Sequence, residues 1–135
     1  MKIIALKGIA FSGKTPTLNI LRDLLRKEGT SLSDTPGSGD TPEAFKIGDL
    51  IVGVAPGGDY KEVVENNLRF FQESKCDVGF TACRTKWGTM FALDDFEKLP
   101  GNTVVRVQKC YEFELSESFK DYCNHEMAQL LKEMI

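Results

Sequence analysis

Gly8, Gly13, Lys14 and Thr15 are the residues whose types and spacing most directly suggest chemistry. They stand in the run Lys7–Leu21, KGIAFSGKTPTLNIL, as G-x-x-x-x-G-K-T. Two glycines at that separation let a loop wrap so that successive backbone N–H groups point inward, and a helix opening at the lysine adds the positive end of its dipole. Such a loop cradles phosphate. Gly8, Ile9, Ala10, Phe11, Ser12, Gly13, Lys14 and Thr15 are the candidate cradle. Lys14 would reach the outer phosphates, and the Thr15 hydroxyl would ligate Mg²⁺. With Gly at about 7% of average usage, a random chain of this length would match on the order of once in a few hundred.

The elements that must position this run agree with it. MKIIALKG gives a buried strand over residues 2–7, and residues 14–28 carry Leu18, Leu21, Leu24 and Leu25 at helical spacing before Gly29. Residues 30–43, TSLSDTPGSGDTPE, read as a loop. Two apolar runs flank Gly48-Asp49 and predict a hairpin of strands 44–47 and 50–55. A helix over 60–74 follows, with Val63, Val64, Leu68 and Phe71 inward. Next come a buried strand in CDVGFTACR, a short helix over 89–98 and a strand over 103–108. CYEFEL either extends that strand or forms a separate edge piece. A last helix over about 117–134 puts Phe119, Cys123, Met127, Leu130 and Met134 on one stripe.

Strands alternating with helices predict an α/β fold with a mostly parallel sheet of about five strands and helices on both faces. Ligands bind such sheets at the carboxyl ends of the strands, so the turns after residues 7, 55, 83 and 108 should share one edge.

The strand–loop–helix context and the motif together resemble the P-loop NTPase superfamily, strongly over residues 1–29. The runs GVAPGGD, NNLRFFQESKCD and TACRT also resemble small uncharacterised P-loop proteins of bacteria and phages. The resemblance implies a three-layer P-loop fold, one nucleotide-binding domain over 1–135, ATP as ligand and Mg²⁺ as its ion.

Two departures stand against that pattern. Pro16 occupies a position whose N–H in P-loop proteins contacts the α-phosphate, and proline has no N–H. It is sterically tolerated in a first helical turn. Such proteins also place an Asp at the end of a second apolar strand. LIVGVA, residues 50–55, ends without one, and Asp59 follows four residues later. Asp59 reads either as a metal-shell residue or as the N-cap of the helix over 60–74, and both can hold.

Lys14, Asp59 and Arg84 are therefore the catalytic candidates, and Thr15 and Asp59 the metal candidates. Arg84 or Lys86, after the strand DVGFTAC, could neutralise phosphate charge, and Trp87 could stack on an adenine. The plainer reading is a solvated basic loop with an aromatic packed beneath it. Lys109, at a strand end, is better placed than Arg106 to approach a ligand.

Other patterns fail. Asp34-Thr35-Pro36-Gly37 matches D-x-x-G of GTPases, but the polar EGTSLS precedes it where an apolar strand is needed. No N-K-x-D segment exists to read guanine, which favours ATP over GTP. His125 is the only histidine and reads as a surface or packing residue. Four cysteines lack any C-x-x-C pair, so they read as free thiols of a cytoplasmic protein and not as a zinc site. A net charge of −3 offers no footprint for nucleic acid, and no apolar run approaches bilayer length. The N-terminus has no small-residue cleavage site and reads as a strand.

The sequence thus leads to an ATP-binding P-loop protein, either a Mg-dependent ATPase or a phosphotransferase. Two rivals remain open. One is a nucleoside or nucleotide kinase, with residues 30–43 or 84–90 as a lid. The other is a catalytically degenerate module that works by partner contact.

Overall fold

The computed structural model describes residues 1–109 and 116–135. The expectation for CYEFEL falls on residues 110–115 and lies outside them. Among the described residues ten elements follow in order: β1 (Lys2–Lys7), α1 (Lys14–Glu28), β2 (Thr30–Ser31), β3 (Glu43–Ile47), β4 (Leu50–Ala55), α2 (Lys61–Glu73), β5 (Val78–Cys83), α3 (Gly88–Glu97), β6 (Thr103–Gln108) and α4 (Glu117–Lys132). The six strands form one sheet in the order β2-β3-β4-β5-β1-β6. The pairs β4–β5, β5–β1 and β1–β6 are parallel, whereas β2–β3 and β3–β4 are antiparallel. The architecture is α/β with a mostly parallel sheet, as expected. The sixth strand, β2, lies in the stretch expected to be loop, and pairs through only Thr30 and Ser31.

Alternation along β1 divides the core. Ile3 and Ala5 face a cluster with Val64, Leu68 and Phe71 of α2 and Leu93 and Phe96 of α3. Ile4 and Leu6 face a second cluster with Leu18, Leu21 and Leu25 of α1 and Ala128 and Leu131 of α4. Strand side chains alternate between faces, so these two sets cover opposite sides of the sheet. That is why Ile3 through Leu6 are all fully buried.

The stripe expected on α4 is rotated. Phe119 and Leu130 are half exposed, while Ala128 and Leu131 are fully buried. Met127 and Met134 do pack against the core. Ala128 is small enough to bring α4 close to α1, and a bulkier face would hold it off.

Register sets the working edge. Lys7 pairs with Cys83 on one side and Gln108 on the other. Three strands therefore end in one row, and the segments beginning at Gly8, Arg84 and Lys109 leave side by side. After β1 the chain turns to the face of α1, whereas after β5 it turns to the face of α3. A crevice opens where neighbouring parallel strands send their helices to opposite faces.

Candidate phosphate-binding site

The loop between β1 and α1 wraps tightly. Gly8 N–H donates to Cys83 O at 3.1 Å, anchoring the loop to β5. Phe11 and Gly13 take positive φ, 60° and 89°. At Gly13 a side chain would be strained by the backbone and would meet Asn124 Oδ1 of α4 at 2.8 Å. Helix α1 then begins at Lys14, with its first internal bond from Thr17 N to Gly13 O at 3.0 Å. Pro16 is the third helical residue, a position whose N–H would have no partner within the helix. Helix geometry therefore accepts the proline without loss.

Lys14 is 5% exposed and folds back onto its own loop, where Nζ donates to Gly8 O and Ile9 O. Burial pushes its ammonium below the usual lysine range. Asp59 opposes that shift, Arg84 adds to it and Cys83 opposes it weakly. Ser12, 2% exposed, keeps its hydroxyl in the same fold, where among the described residues it has no hydrogen-bond partner. The Cys83 thiol is pushed up to about 11 by burial, which makes it a filler and not a nucleophile.

A cavity of about 730 Å³ opens over the loop. Residues Ala10 through Pro16 form one wall. Asp59, Tyr60 and Arg84 form another, and Lys109, Glu117, Lys120, Cys123 and Asn124 a third. Among the described residues that line it, four are cations (Lys14, Arg84, Lys109, Lys120) and two are carboxylates (Asp59, Glu117). Phe11 stands 94% exposed at the rim.

The position of Asp59 is built from the turn after β4, the end of β5 and a buried side chain of α2. Asn67, buried on α2, donates from Nδ2 to Gly57 O at 2.8 Å and to Thr81 Oγ1 at 2.9 Å. That fixes the turn Pro56-Gly57-Gly58. Gly58 lies on the Ala82 carbonyl so closely that no Cβ fits. Pressed down in this way, the turn carries Asp59 across the end of β5 to Arg84, whose Nε donates to Asp59 Oδ1 at 3.0 Å. Thr15 Oγ1 points the same way and donates to Pro56 O at 3.4 Å.

The structure thus brings together Gly8 through Thr15, Asp59, Arg84 and Lys109. Two expectations change. Asp59 is not an N-cap: α2 starts at Lys61, Tyr60 takes the N-cap position with no side-chain bond, and the Asp59 carboxylate is held by Arg84. Trp87 does not line the cavity over the loop and is not packed beneath a basic surface, since it is 71% exposed. Strand β4 ends in Ala55 with no acid, as its sequence indicates, and β5, which lies between β4 and β1, ends at Cys83 with Arg84 following it.

Remaining candidates stay outside the site. Arg106 is tied to Asp94 and Glu97, and His125 is exposed beside Asp121. Gly37, of the D-x-x-G match, gives its N–H to Glu43. Cys76, Cys83 and Cys123 are free thiols. Among the described residues no cluster of three or more His, Cys, Asp or Glu could hold a metal, and no helix is long and apolar enough to cross a membrane.

Lys120 and Asn124 were not legible as site residues. They sit more than a hundred positions from the loop, within an amphipathic helix that looks ordinary on its own. No family model, curated protein or solved structure matches this chain.

Proposed function

We propose that this chain is a P-loop NTPase with the three-layer fold of that superfamily, binding ATP and acting in the cytoplasm as a Mg-dependent phosphotransferase or ATPase. The observation that carries the reading is the condition of the cradle. A nearly buried Lys14 gives its ammonium to two carbonyls of its own loop, and among the described residues the buried Ser12 hydroxyl has no partner. A phosphate oxygen would give that hydroxyl its partner and the ammonium a counter-charge, and an unmade buried hydrogen bond costs about 1–3 kcal/mol.

In this reading the backbone N–H groups of residues 8–15 bind phosphate and Lys14 neutralises it. Arg84 stabilises charge that develops on the transferring group. Mg²⁺ fits as an ion carried in with the nucleotide, since the described residues offer no cage of three or more His, Cys, Asp or Glu. Thr15 Oγ1 and Asp59 would complete a shell made mostly of phosphate oxygens and water. The base would lie toward Lys109, Lys120 and Asn124. Without an N-K-x-D segment, nothing there favours guanine.

One observation favours a second reading, binding without turnover. The strand beside the loop, β5, ends at Cys83 with Arg84 next, and Asp59 on the cavity wall is already paired with that arginine. The test is calorimetric titration of ATP and GTP with Mg²⁺, followed by phosphate-release assays of wild type and Lys14→Ala. The proposal expects ATP to bind, Lys14→Ala to lose binding, and phosphate release to depend on Lys14. Failure of ATP to bind at millimolar concentration would overturn it. Binding with no turnover, with or without added acceptors, would select the module.

A further inference from the structure

A second cavity of about 520 Å³ opens on the far side of the Asp59–Arg84 pair. It shares Asp59, Tyr60 and Arg84 with the first, and Ile9 places it against the start of the loop. Lys61, Lys86, Trp87 and Thr89 are among its walls. Among the described residues lining it, three cations (Lys61, Arg84, Lys86) face one carboxylate, Asp59, so this hollow is opposite in sign to the net charge of the chain. Helices α2 and α3 both begin here with no side-chain cap, which adds to the positive potential.

The aromatics are the second line of evidence. Trp87 has φ 71° and ψ −140°, a conformation that a bulky L-residue adopts only under constraint. Tyr60 is 70% and Trp87 71% exposed. The Trp87 carbonyl accepts from Phe91 N at 3.0 Å as α3 begins, but an uncovered indole still costs free energy. A flat ring seated in the cavity would cover them.

We infer that this cavity binds the phosphoryl acceptor of the reaction proposed above, and that the acceptor is a ring-bearing phosphate monoester such as a nucleoside 5′-monophosphate. Its phosphate lies toward Lys61, Arg84 and Lys86, and its ring against Trp87 or Tyr60. The volume lies in the range of small-molecule sites, about 300–1,000 Å³. Transfer then crosses the shared wall. An oxygen of the acceptor's phosphate dianion forms the new bond to the γ-phosphorus of ATP. The bond from that phosphorus to the β–γ bridging oxygen breaks, and ADP leaves with the electron pair. The dianion has no proton to lose, so the step needs no strong base, consistent with an Asp59 held by Arg84. The role as acceptor site rests on the nucleotide reading of the first cavity, but occupancy by a monophosphate does not.

Trp87 is the only tryptophan, so its fluorescence reports on this cavity alone. The experiment titrates AMP, GMP, CMP and dTMP into wild type, Lys86→Ala, Lys61→Ala and Lys14→Ala, with and without a non-hydrolysable ATP analogue. Lys61 and Lys86 are exposed, so their variants should fold. Expected is a saturable fluorescence change with at least one monophosphate. It should persist in the presence of the analogue and in Lys14→Ala, and weaken about tenfold in Lys86→Ala or Lys61→Ala, as loss of a charged hydrogen bond would give. No change with any monophosphate at millimolar concentration overturns the inference. Competition by the analogue, or loss in Lys14→Ala, overturns it too, because the monophosphate would then occupy the loop. A monophosphate that binds as expected while ATP binds nowhere would remove the donor and leave the second site standing.

Discussion

Arg84 and Asp59 form an ion pair on the wall shared by both cavities, with Nε–Oδ1 at 3.0 Å. Both side chains are more than a third exposed, so the pair itself contributes under about 1 kcal/mol. A pair that weak can exchange partners, and phosphate offers Arg84 a bidentate alternative. Asp59→Asn should therefore free Arg84 and tighten ATP binding in the absence of Mg²⁺ by up to about fivefold. With Mg²⁺ present the gain should vanish or reverse, because the metal shell loses a carboxylate. Arg84→Ala should weaken binding under both conditions. Calorimetry with and without Mg²⁺ separates these outcomes, and an Asp59→Asn protein identical to wild type in both would remove Asp59 from the site.

Lys14 predicts a pH dependence of the opposite sign to that of a lysine in a salt bridge. Burial lowers its folded-state value. Between that value and the ordinary lysine value, the unfolded chain holds more protons than the folded one, so stability rises with pH there. Relative to Lys14→Met, which does not titrate, the melting temperature of the ligand-free wild type should climb as pH moves into the alkaline range below the ordinary lysine value. Saturating phosphate supplies a counter-charge and should flatten that slope. A difference between the two proteins that stays constant with pH would mean that Lys14 titrates as if in water.

Glu43 predicts an acid-side loss. Its side chain is fully buried, and Ser31 Oγ at 2.6 Å, Gly37 N at 2.7 Å and Arg26 Nη2 at 2.7 Å all donate to it. Burial alone would raise its value, but the three donors outweigh that and hold the carboxyl below its usual range. The stabilisation is complete above the unfolded-state value and is lost as pH falls through the folded-state one. Glu43→Gln should cost about 2–3 kcal/mol near neutrality. The cost should shrink in acid, where wild type loses the same charge. Urea unfolding at neutral and acid pH checks both the size and the convergence.

The sequence made some of this legible because the determinants are local. Residues 1–29 announce a strand, a glycine-framed loop and a leucine-periodic helix, and their bounds agree with β1 and α1. The row of turns after residues 7, 83 and 108 follows from parallel pairing, which strand–helix alternation already implies. What could not be read depends on contacts between distant positions. Strand β5 lies between β4 and β1, and no local pattern encodes that order. The buried Asn67 looks like an ordinary helix residue until Gly57 and Thr81 appear beside it. The two residues of β2 are too few for periodicity and exist because β3 offers them an edge.

Pro16 gives the last prediction. It lines the cavity over the loop, is exposed, and lies in the first turn of α1, where its ring meets no steric objection. Its cost should fall on ligand binding and not on folding. Pro16→Ala restores an N–H at the open end of the helix, where a phosphate oxygen can accept it. A hydrogen bond to a charged group contributes about 1.5–3 kcal/mol. The added freedom of the unfolded chain subtracts under about 1 kcal/mol from stability. Pro16→Ala should therefore bind ATP about tenfold tighter or better, with a slightly lower melting temperature. ADP should gain as much as ATP if the new donor meets the α- or β-phosphate seated in the loop. ATP alone should gain if the donor meets the γ-phosphate. Unchanged affinity for both, measured by calorimetry on the two proteins side by side, would show that the missing donor is not what limits binding.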